Sequence, residues 1–137
     1  LVPTLMAFQG ISERLGKGVY TPTVETKIRA TVDTARVFMG KALKWGVPIA
    51  FGTDAGVFEH GRNAQEFRLM RTQGMSDRQA LASATTAAAK VLGMENEIGR
   101  IAPGYSADII AVTGDPTSDV TVLEKVEWVM ARGKVVP

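Results

Sequence analysis

The sequence predicts an α/β chain in two unequal parts, and three observations carry that expectation. A helical repeat from Ile28 to Ala42 stops at Gly46 and runs straight into the apolar stretch Val47-Pro48-Ile49-Ala50-Phe51. Two further helix patterns follow before Gly93. Beyond Gly93 the apolar period shortens and turn signals multiply. The order is strand, helix, strand, helix, helix, then short strands, which divides the chain into residues 1–93 and 94–137.

The elements follow in order. Val2 to Phe8 is a short apolar run that reads as a buried strand. Three glycines between Gly10 and Gly18 mark a loop. Thr21-Pro22 starts a helix, with Thr as cap and Pro in the first turn. Ile28, Val32, Ala35, Met39 and Ala42 recur at steps of three and four and form its apolar face. Gly46 ends it. Residues 47–51 read as a buried parallel strand, with Pro48 tolerated near its start. Gly52-Thr53-Asp54-Ala55-Gly56 leaves that strand as a loop. A second helix begins near Asn63, with Glu66 placed as a capping-box partner, and ends at Gly74.

A third helix has Ser76 as cap and Gln79 reaching back. Leu81, Ala84, Ala88 and Val91 give it an apolar face, and Gly93 closes it. Ile98 to Ile101 and Ala107 to Val112 read as strands around the turn Pro103-Gly104. Val126, Trp128 and Met130 alternate, and Arg132-Gly133 leads into Val135-Val136 as a final hairpin. The residues after Ile98 are expected to pack apart from the helices before Gly93. Trp45 and Trp128 read as core or interface residues.

Composition excludes several function classes. Hydrophobic residues make up 45% and charged residues 22%, as in ordinary globular chains. Sixteen Lys and Arg balance 14 Asp and Glu, and no basic stripe with interleaved aromatics is visible, so nucleic acid is not an expected partner. No run reaches the roughly 18 apolar residues of a membrane span. The chain has no Cys, which excludes thiolate chemistry and fits the cytosol. It starts at Leu1 without a signal-peptide pattern, as a fragment or processed product would.

Asp54 is the first candidate for chemistry. It follows the C-terminal end of a buried strand, where β/α barrels place catalytic groups. A carboxylate there can bind a cation, or carry a proton from water to a leaving amine. Its alternative role is to cap the loop backbone. His60 is the only histidine; it can ligate a metal, hold a substrate or titrate, or simply cap a helix at the surface. Arg62 and Asn63 can face an anionic substrate group at a helix start, or merely cap it. Asp108 and Asp115 bracket a strand and read as turn and strand-end residues.

Phe51-Gly52-Thr53-Asp54-Ala55-Gly56, with His60-Gly61-Arg62-Asn63 and Glu66, resembles the eighth-strand region of the amidohydrolase superfamily, in its imidazolonepropionase-like and prolidase-like peptidase group. Ile98-Gly99-Arg100-Ile101-Ala102-Pro103-Gly104-Tyr105-Ser106-Ala107-Asp108-Ile109-Ile110 is similar to that group's strand pair. Gly114-Asp115-Pro116 and Val129 to Val135 are similar to its end. The resemblance implies the C-terminal part of a (β/α)8 TIM-type barrel followed by strands of a small β-sandwich. It implies that Asp54 is both metal ligand and proton shuttle, and that His60 lies in the substrate pocket. It further implies one or two divalent metals, zinc first, and hydrolysis of an amide bond by metal-activated water.

Within the group, a dipeptide or N-acyl amino acid is favoured as substrate. The family's other metal ligands, a His-x-His pair among them, are not in this chain, whose one histidine is His60. The chain alone is therefore expected to be inactive. Its expected partners are the small-molecule substrate, the remainder of the barrel and, through an unpaired strand edge, further copies of itself. The rival readings are a deaminase or cyclic-amide hydrolase of the same superfamily, and a non-catalytic structural module.

Overall fold

A computed structural model describes residues 1–137, with the side chain of Arg36 excepted. Five helices come first: α1 (Leu5–Ser12), α2 (Pro22–Lys44), α3 (Gln65–Thr72), α4 (Asp77–Ala84) and α5 (Thr86–Val91). Strand β1 (Ile109–Val112), a 3-10 turn (Val120–Glu124), β2 (Val126–Ala131) and β3 (Lys134–Val135) follow. The strands form one antiparallel sheet in the order β1-β2-β3. Among the described residues, no helix is long and apolar enough to cross a membrane.

The long helix α2 forms as its sequence dictates. Thr21 caps it through Val24 N–H, Pro22 sits in the first turn, and Val32, Met39 and Ala42 are buried along the anticipated face. Helix α4 carries the full capping box: Gln79 N–H donates to Ser76 Oγ at 3.3 Å, and Ser76 N–H donates to Gln79 Oε1 at 2.9 Å. In the sheet, Ile109 pairs with Met130 and Ala111 with Trp128, with a bulge before Val112. Ala131 and Lys134 close the β2–β3 hairpin over Arg132 and Gly133, both at positive φ, 50° and 74°. Two such residues define the primed turn whose twist matches the strands.

Several expectations are corrected. Val2 to Phe8 is not a strand: Leu5 onwards is helical in α1, with Leu5, Met6 and Ala7 buried. Short apolar runs are ambiguous in period, and the acceptor that starts α1 comes from Glu66, on a distant helix. Glu66 is thus not the capping partner of its own helix, which starts at Gln65 without a side-chain cap. Residues 47–51 are extended but form no strand ladder. They keep one parallel link: the Leu1 amino group donates to Pro48 O at 2.8 Å, and Ala50 N–H to Leu1 O at 2.9 Å. Phe51 N–H donates instead to Ser83 O, in α4, at 2.9 Å, so no ladder continues along the segment.

Ile98 to Ile101 is a turn, not a strand, with Gly99 at φ 84° against Thr85 O. The third predicted helix breaks at Thr85 (φ −122°, ψ −95°) into α4 and α5. Its buried residues are Ala80, Ser83 and Ala89, whereas Val91 is 65% exposed. Trp45 is also exposed.

The later residues do not all pack apart from the helices. Val120 and Leu123, in the 3-10 turn, join one apolar cluster with Phe67, Met70, Met75 and Ala80. Polar links reinforce that junction: Asp77 Oδ1 accepts from Val120 N–H at 2.8 Å, and Arg71 reaches both Asp77 (3.2 Å) and Asp119 (2.9 Å).

Candidate active site

Asp54 stands where the extended segment turns into its loop, one residue past the buried Thr53. Its backbone is left-handed, at φ 53°, a conformation that Asp tolerates better than most residues. The side chain is exposed, and among the described residues no hydrogen bond or ion pair holds its carboxylate. Beneath it the loop is tied at its base: Asn63 Nδ2 donates to Thr53 Oγ1 at 3.1 Å. Asn63 Oδ1 also accepts from Gly61 N–H at 3.3 Å. One amide side chain therefore draws together residues ten apart in sequence, 53 and 63.

His60 is exposed at the outer part of the same loop. Arg62, two residues on, is committed to protein carboxylates. Its Nη2 and Nη1 donate to Glu13 Oε1 and Oε2 at 2.8 and 2.9 Å, a two-pronged contact, and Nη1 also donates to Glu59 at 3.1 Å. The guanidinium, with help from Gln9, pulls the Glu13 carboxyl down to about 2. Glu59 is also lowered, first by a backbone hydrogen bond and then by Arg62.

Asp108 and Asp115 take the structural roles anticipated for them. Asp108 accepts from Arg132 N–H at 2.8 Å and from Ser106 Oγ at 2.6 Å. Asp115 accepts from Thr117 N–H at 2.8 Å, as an Asx turn does.

The loop thus brings Asp54, His60, Arg62 and Asn63 into one short segment, with Arg62 and Asn63 turned toward the protein. Sequence reasoning missed Glu13 and Thr53. Glu13 lies 49 residues from Arg62, just past the end of α1, and no local spacing signals the pair. Thr53 was visible only as a neighbour of Asp54.

Asp54 fits a hard or borderline cation as one oxygen donor. Among the described residues, no group of three or more His, Cys, Asp or Glu side chains is placed to hold a metal. These residues alone therefore do not make a complete metal centre.

Comparison with known proteins fits this geometry. The chain belongs to the amidohydrolase family, whose pattern matches residues 17–136. A solved Xaa-Pro dipeptidase with methionine bound in its active site superposes with a TM-score of 0.92 at 40% identity, over 98% of this chain and 34% of that one. A prolidase complexed with N-methylphosphonate-L-proline gives a TM-score of 0.85 at 30% identity, with the same 98% and 34% coverage. An uncharacterised protein of Mycobacterium tuberculosis is 33% identical over 98% of this chain and 35% of its own length. A 5-methylthioadenosine/S-adenosylhomocysteine deaminase of Symbiobacterium thermophilum is 33% identical over 66% of this chain and 24% of its own length. The chain spans about a third of the length of the first curated relatives it matches.

The fold is that of the C-terminal part of such a barrel enzyme, and prolidase-like amidohydrolases are its structural neighbours.

Proposed function

We propose that the protein hydrolyses the amide bond of a dipeptide or N-acyl amino acid, with Asp54 carrying the proton from the attacking water to the leaving nitrogen. The observation that supports this reading is the uncommitted Asp54 carboxylate at the end of the extended segment, in a chain so similar to a dipeptidase. A divalent cation, zinc first, would polarise the amide carbonyl and acidify water when bound. Asp54 would be one of its ligands, and the others would come from outside these residues. His60 faces the substrate from the loop, while Asn63 and Arg62 hold that loop in place. The same reading takes the cytosol as compartment, which the absence of Cys favours, and a homo-oligomer as the assembly.

A second reading, deamination at a ring carbon, is favoured by the likeness to the Symbiobacterium deaminase. Both are tested by the Asp54→Asn variant of the complete enzyme that contains these residues. An amide side chain cannot take up the proton, so hydrolysis of methionylproline should fall by roughly a hundredfold to ten-thousandfold with the fold intact. Near-normal turnover would remove Asp54 from the mechanism. Ammonia release from a nucleoside, without dipeptide cleavage, would select the deaminase.

A further inference from the structure

The loop that carries His60 meets α1 and its C-cap at two points three residues apart. Gly10 lies under Phe58: a Cβ at Gly10 would come within 2.7 Å of Phe58 Cβ. Phe58 is itself buried, at 3% exposure. Three residues further on, at the C-cap just past Ser12, Glu13 takes both prongs of Arg62. Gln9 Nε2 holds Glu13 Oε1 from behind at 3.1 Å. His60 lies midway in sequence between Phe58 and Arg62. The segment that exposes the histidine is therefore fixed on both sides of it, by an apolar foot and by an ion pair.

We propose that Glu13 and Arg62 are positioning residues, a pair that works with the Gly10–Phe58 contact to hold His60 in its substrate-facing place. The pair touches no reacting atom; it acts through His60. The inference rests on the reading of His60 as a substrate contact, and it assigns Arg62 to the scaffold instead of the ligand. A carboxylate held far below its usual range by its partner stays charged at any working pH, so the pair is present throughout catalysis. Two-point fixing also fits the demand that a binding group be held to within a fraction of an ångström.

The test uses Glu13→Gln and the milder Arg62→Lys, which keeps the charge but loses the fork. With methionylproline as probe, KM should rise about tenfold while kcat changes little, because binding is lost in ground and transition states alike. A double charge exchange, Glu13→Arg with Arg62→Glu, should restore most of the KM. In parallel, nuclear magnetic relaxation at the His60 amide should show an order parameter near about 0.85 in the parent protein, falling below about 0.6 in Glu13→Gln. A lowered melting temperature with unchanged KM and an unchanged His60 order parameter would overturn the proposal. Should the complete enzyme that contains these residues not cleave the dipeptide, the proposed reaction fails. The relaxation measurement then decides the positioning role by itself.

Discussion

The carboxylate of Glu66, on α3, closes the N-terminus of α1: Oε1 accepts from Leu5 N–H at 2.9 Å and Oε2 from Met6 N–H at 2.7 Å. The side chain has no exposed surface. Burial pushes its carboxyl up to about 7, against the pull of the two backbone donors, Met6 and Leu5. The helix start favours a negative charge there, but desolvation outweighs it.

That balance has a sign that can be measured. The folded state binds the proton more tightly than the unfolded chain, whose carboxyl titrates at 4.5. Stability from this group is therefore full below pH 4.5 and is lost as pH rises toward 7. The loss amounts to on the order of 3 kcal/mol. Urea unfolding at pH 5 and pH 8 should show this fall in the parent chain and a flatter profile in Glu66→Gln. Equal slopes would mean that Glu66 is already ionised at pH 5.

Gly10→Ala sets two effects against each other. Alanine in a helix gains roughly 0.5–1 kcal/mol over glycine. The added methyl, however, would meet Phe58 Cβ at 2.7 Å, in a place where Phe58 is buried and cannot swing away. Overpacking of that kind costs roughly 1–3 kcal/mol, so the variant should unfold at lower urea than the parent. A stabilised variant would show that the loop slides off α1 without penalty.

Ser76→Ala removes the hydroxyl that accepts from Gln79 N–H. The expected loss is about 1 kcal/mol. Gln79→Ala should cost less, since the Ser76 hydroxyl still serves the helix N-terminus. An unchanged urea midpoint in Ser76→Ala would mean that solvent replaces the cap.

Metal content is a further expectation. A catalytic zinc normally takes three protein ligands, and no such group is gathered among the described residues. These 137 residues, dialysed against zinc and then against buffer, should retain less than one equivalent. Tight stoichiometric zinc would reveal a ligand set assembled in another way, such as between copies.

The sequence made local structure legible and distant partnership opaque. Helix α2 was readable because its caps and its buried stripe all lie within its own 23 residues. The Arg132-Gly133 turn was readable for the same reason. Helix α1 was not, because its N-terminal acceptor is supplied by a residue 60 positions away. Residues 47–51 have the composition of a parallel strand, but a strand exists only through neighbouring strands, and the segment's backbone links run to Leu1 and to Ser83 in α4. At the site, Asp54 was legible through its place after an apolar run. The commitment of Arg62 to Glu13 was not, because a guanidinium beside a loop reads the same whether it faces a ligand or a carboxylate of its own chain.

The sharing of one apolar cluster by Val120, Leu123, Phe67 and Met70 has a bearing on how the molecule comes apart. A boundary drawn at Gly93 separates two patterns of sequence, yet residues on both sides of it share that cluster. Removing residues 94–137 would uncover the side of the core that Val120 and Leu123 now cover. Heat should accordingly melt helices and sheet in a single transition. Trypsin cutting at the exposed Arg100 should nick the chain without releasing a piece, because the fragments would remain clasped through the 3-10 turn and Arg71.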